Sequence, residues 1–113
     1  MGSPAWSIDY RDGSANAYHF HPDTFEYVPV TPAQSSTGTY SGGEPRAGRL
    51  DATAVETLWR LVRAFEVAVA LHVEDRMKGT GAFSVTDVAG TREFIIARGP
   101  ELAAFDAFAA ALA

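Results

Sequence analysis

A chain of 113 residues with 47% hydrophobic and 20% charged residues has the make-up of one ordinary globular domain. Its net charge of −5, with only nine Lys and Arg scattered along it, argues against nucleic acid or an anionic membrane as partner, since either needs clustered cations to displace counterions. The lack of cysteine removes disulfides, thiolate metal sites and a Cys nucleophile, and fits a reducing cytoplasm.

The opening MGSPAWSIDY has neither the basic start nor the apolar run of a signal peptide. The longest nearly apolar run, VAVALHV at 67–73, is far too short to span a bilayer. The expectation is a soluble, cytoplasmic protein, and the Ala, Gly and Arg usage suggests a GC-rich bacterial genome. The elements follow in order. Trp6, Ile8 and Tyr10 alternate with Ser7 and Asp9, the period of a half-buried strand. Asp12-Gly13 is a hairpin-turn pair, because Gly tolerates positive φ. The next strand sets Tyr18 and Phe20 on one face and His19 and His21 on the other. HPDT turns the chain, with Pro22 fixing φ and Asp23 suited to an Asx turn. FEYVPV is a third strand that puts Phe25 and Tyr27 together, and Pro29 places it at a sheet edge or ends it.

Residues 31–49 carry no regular apolar face and read as a long Gly/Ser-rich loop, with TGTYS as a candidate hidden strand. A helix then starts at the N-cap Asp51, with Leu50 and Val55 at the spacing of a hydrophobic staple. Val55, Leu58, Val62, Phe65 and Val69 recur at three and four and must face a core. The helix is expected to run to about residue 74, with Gly79 as its left-handed cap, although Val67, Val69, Leu71 and Val73 also alternate as a strand would. A second hairpin covers 81–99 with its turn at Ala89-Gly90, and Pro100 opens a final helix over 100–112 with the stripe Leu102, Phe105, Phe108 or Ala109, and Leu112. Strands and helices are segregated, which predicts one α+β domain over 1–113. It has an antiparallel sheet of about five or six strands and two helices, about 51–74 and 100–112, on one face. Its N-terminal strands occupy 5–30, and 50–113 holds helix, hairpin and helix. The aromatic set Trp6, Tyr10, Tyr18, Phe20, Phe25 and Tyr27 is expected to be the buried face of that sheet.

Two stretches are candidate sites. The first is the loop, whose Tyr40, Ser41, Gly42 and Gly43 are the expected binding residues, since loops on rigid scaffolds carry contacts and Tyr is an efficient contact side chain. It is not a phosphate cradle: no Lys follows, and Asp51 would repel an anion at the helix start. GTYSG also lacks the G-x-S-x-G spacing of a nucleophile elbow. The second is His19 and His21, two imidazoles on one side of a strand and thus candidate metal ligands. Asp23 or Glu26 is available as an oxygen ligand and His72 as a third nitrogen if the fold brings it near. Against that stands a solvated strand face. Glu74 and Asp75 beside Arg76 read as a polar helix terminus.

From YSGG at 40–43 through the helix, the hairpin and the last helix, the chain resembles small bacterial metallopeptidase inhibitors of the emfourin type in element order and in the SGG tripeptide. The resemblance implies peptidase inhibition and carries over no individual residue. The sequence thus predicts a non-enzymatic protein-interaction module that needs no cofactor and works on a protein partner or by self-association, through edge-strand pairing or the 35–45 loop. One alternative is a peptidase inhibitor acting through that loop; another is a metal-binding protein or metal-dependent enzyme using His19 and His21.

Overall fold

The computed structural model describes residues 6–13, 16–30, 44–75 and 79–112. Its strands are β1 (Ser7–Arg11), β2 (Ala17–Phe20), β3 (Thr24–Val28), β4 (Arg46–Arg49), β5 (His72–Val73), β6 (Gly81–Asp87) and β7 (Gly90–Ile96). The helices are α1 (Ala52–Val67) and α2 (Pro100–Ala111). All seven strands form one sheet in the order β4-β3-β2-β1-β6-β7-β5, and every neighbouring pair is antiparallel. The class is the expected α+β, with more strands than the five or six predicted.

The hairpins form where turn chemistry requires them. At the first, Asp12 N–H donates to the Asn16 carbonyl at 2.9 Å, and the Asp12 carboxylate takes the Asn16 backbone N–H at 3.0 Å. At the last, Gly90 supplies the positive φ (112°) and Asp87 Oδ1 accepts from Ala89 N–H at 2.9 Å, an Asx turn. β3 ends at Val28, just before Pro29, but it is not an edge strand, because β4 pairs outside it. The predicted loop over 31–49 therefore stops short: RAGR is a strand, masked in the sequence by its lack of apolar alternation, and Gly48 lies opposite Phe25. TGTYS lies outside the described residues.

The Asp51 carboxylate caps α1, accepting from Ala54 N–H at 2.8 Å. The predicted extension of this helix to about 74 is wrong. It ends at Val67, Ala68 leaves helical geometry at ψ 64°, and a 3-10 turn over Val69–Leu71 leads into β5. The physical reason is the reach of the core. Leu58, Val62 and Phe65 are buried, but Val69, next in the stripe, is 73% exposed, so a further turn would bury nothing. The backbone instead pairs with β7 through His72 and Val73, so the stretch 67–73 is the end of a helix followed by the start of a strand. His72 Nε2–H donates to the Phe65 carbonyl at 2.7 Å, a second bond to an end-of-helix carbonyl that also accepts the Ala68 N–H at 3.2 Å.

One face of the sheet carries the core, and the aromatic set lies on it as expected. Ile8, Tyr10, Phe20, Phe25, Phe83, Val85 and Ile96 are buried from the strands, Leu58, Val62 and Phe65 from α1, and Leu102, Phe105 and Ala109 from α2. Phe105 is the hub, with ring centres of Phe83 and Tyr10 at 5.0 and 4.8 Å and of Phe65 at 6.0 Å. α2 comes this close because residue 81 is glycine. A Cβ there would stand 2.7 Å from both Leu102 Cδ1 and Tyr10 Cε1. Both helices therefore pack on the same face, and the opposite face of the sheet is free of them.

Candidate functional site

Residues directly opposite one another in neighbouring strands share a face, so the register writes out the helix-free face row by row. One row runs Glu26, His19, Asp9, Ser84, Glu93 across β3, β2, β1, β6 and β7. The next runs Val28, Ala17, Arg11, Ala82, Ile95, Val73 across β3 to β5. A polar, mostly acidic row thus lies beside a largely apolar one. Between them, over β1, β6 and β7, sits a hollow of about 430 Å³. Ala82, Ser84 and Ile95 line it with Val73, and Asp9, Glu93 and Glu74 bring three carboxylates to it against the one cation of Arg11, which lines it too. Such a concavity offers apolar contact for an aliphatic stem and negative charge for its tip.

His19 Nδ1 meets Asp9 Oδ1 at 2.5 Å, with the imidazole about one-third exposed and the carboxylate about half. A Ser, a His and an Asp therefore stand side by side, but in the wrong order for acyl transfer. Asp9 lies between Ser84 and His19, whereas a nucleophilic serine must reach the imidazole nitrogen that the carboxylate leaves free. His21 lies beyond the end of β2, exposed in the turn to β3, where its backbone N–H donates to the Thr24 carbonyl at 2.8 Å. His72 stands on the core face, opposite Ile96 and stacked on Phe94 at 5.2 Å, so the sheet separates it from His19 and it is no third ligand. Among the described residues no group of three or more His, Cys, Asp or Glu is placed to hold a metal ion. Tyr40, Ser41, Gly42 and Gly43 lie outside the described residues.

A larger cleft, of about 640 Å³, opens beside the start of α2, where the β1–β2 turn, Gly79 and Arg98 meet Leu102, Ala103 and Asp106. Its acids are already engaged. Tyr10 O–H donates to the Asp106 carboxylate, and Asp12 accepts from the side chain as well as the backbone of Asn16. Burial holds the Asp106 carboxyl above the usual carboxylate range, with the Tyr10 bond acting against the rise. Burial likewise raises the Tyr18 hydroxyl, against the pull of Arg46. The turn, Gly79 and Arg98 are closely fitted here: a Cβ on Gly13 would lie 2.8 Å from Gly79 Cα, and one on Gly79 2.9 Å from Arg98 Cδ. The cleft reads as a packing junction whose polar groups serve the fold.

The sequence reading missed Asp9, Glu74, Ser84 and Glu93. Alternation put Asp9 and Ser84 on polar strand faces, but only the pairing of β1 with β6 makes them neighbours. Compared with known proteins, the chain matches no family model, and no curated protein or solved structure matches it either. No helix of the described residues is long and apolar enough to cross a membrane.

Proposed function

We propose that this chain is a small, soluble, cytoplasmic bacterial protein that works without catalysis, by docking a protein partner on the helix-free face of its sheet. A Lys or Arg side chain of that partner occupies the hollow between Asp9, Glu74 and Glu93. The observation that carries this reading is the hollow itself: three carboxylates outnumber the one guanidinium of Arg11 around an apolar floor, on a face that neither helix covers. A basic side chain fits it twice over, with its methylene stem against Ala82, Ile95 and Val73 and its charge among the acids. The overall charge of −5 adds long-range steering toward a basic surface. The order of Ser84, Asp9 and His19 along the row supports binding over hydrolysis.

Photo-crosslinking in the native cell tests it. A benzophenone amino acid at position 84 is expected to give one discrete adduct, and the same group at exposed Arg60 on the outer side of α1 none. Glu93→Lys with Asp9→Lys should abolish the adduct. Equal adducts from both positions, or an adduct from position 84 that survives both charge reversals, would overturn the reading.

A further inference from the structure

β7 is paired with β6 along its whole length, but on its other side β5 covers it only opposite Ile95 and Ile96. Among the described residues, the outer backbone edge of Gly90–Phe94 carries no strand. An edge of this length that no strand of the described residues covers is a template for another strand. Its surroundings are unusual. Val88 in the turn before β7 is 83% exposed, and Val67 and Val69 at the end of α1 are 78% and 73% exposed. The last turn of α1 lies beside this edge, since Glu66 Oε1 accepts from Arg92 at 3.2 Å. On the helix-free face, Glu93 ends the acidic row at the same edge.

We propose that the open edge of β7 takes an extended segment of the partner protein as an added strand, with alternating basic and apolar residues. The basic residues fall on the helix-free face, in line with Glu93. The apolar ones fall on the helix side, where Val67 at the end of α1 and Val69 in the 3-10 turn after it are exposed. The inference rests on the proposed docking face and names how its partner approaches. A second copy of this chain fits the edge poorly. Two-fold antiparallel pairing makes one residue face its own copy, because opposed residues must share a sheet face. Centring on Arg92 sets guanidinium against guanidinium, and centring on Glu93 sets carboxylate against carboxylate. Centring on Thr91 pushes Glu93 against the turn residue Ala89. Two copies of a chain with a charge of −5 also repel each other.

The test uses the full chain and a capped heptapeptide of alternating valine and lysine, with two controls: the same composition in scrambled order, and the alternating peptide N-methylated along its central residues. At saturation the alternating peptide should slow amide exchange over 91–93 at least tenfold and leave β4, the other edge, unchanged. Glu93→Lys and the N-methylated form should each weaken binding at least tenfold, and the scrambled peptide should give no protection at 91–93. Binding without protection at 91–93, or equal binding of the N-methylated form, would show that charge on the face alone suffices. That sinks edge pairing and leaves the docking face standing, whereas the docking face itself fails by crosslinking from position 84. No binding of the alternating peptide also overturns edge pairing. So does protection at 91–93 in the peptide-free chain together with a dimer in sedimentation.

Discussion

Asp106 keeps a carboxyl that burial raises above its usual range, next to a Tyr10 that is fully buried and donates to it. The sign of the pH effect follows. A group whose folded pKa is raised favours the fold only at pH below the unfolded value, about 4 for Asp, and that contribution is lost as pH climbs through the raised value. Asp106→Asn keeps an acceptor for the Tyr10 hydroxyl and carries no charge. It should therefore be more stable than the parent at pH 8 and indistinguishable from it near pH 3. Urea midpoints at the two pH values check this, and a lower midpoint for the variant at pH 8 would contradict it. Gly81→Ala acts by sterics at the same junction. With Leu102 and Tyr10 each 2.7 Å from the new Cβ, the overpacking should cost about 1–3 kcal/mol by the same titration. No sequence pattern marks this glycine, because the crowding comes from a helix that begins nineteen residues later.

The elements differ in how plainly they were written. α2 was legible because its stripe of Leu102, Phe105 and Ala109 is buried along its whole length and Pro100 fixes its start. The start of α1 was legible for the same local reason, the carboxylate of Asp51. Its end was not, because Val69 continues in sequence the stripe of Val55, Leu58, Val62 and Phe65 although the fold leaves it 73% exposed. β4 was missed because RAGR has no alternation to read, and β5, two residues long, was legible only as the strand alternative to a longer helix over 67–73. These differences predict unequal costs at the cap of α1 and in the 3-10 turn that follows it. Asp51→Ala should lower stability by about 1 kcal/mol through the lost cap. Val69→Lys, on the same stripe but outside the core, should change it by less than about 0.5 kcal/mol. Thermal or urea unfolding of the two variants compares them directly, and a larger loss at Val69 would mean that the stripe is covered in solution.

At the scale of the whole molecule, two helices on one side of a seven-stranded sheet leave the other side free of helix, with an acidic row, an apolar row and a hollow between them. That one face would be covered was readable from the aromatic alternation of the first three strands. The site on the other face was not, since it needs the register that brings Asp9 of β1 beside Ser84 of β6, strands far apart in the chain, with Glu93 of β7 next in the row. His19 drew notice in the sequence as a metal ligand because of its neighbour His21, yet the sheet gives it Asp9 as a close partner and leaves His21 in a turn. The most direct test of the docking account is the amide NMR spectrum of the intact chain titrated with acetyl-arginine-methylamide at millimolar concentration. The account predicts shifts centred on Asp9, Ser84 and Glu93 that vanish when Asp9 and Glu93 are both changed to Lys. Shifts gathered instead around Asp106 and Arg98 at the start of α2, or none in the hollow, would contradict it.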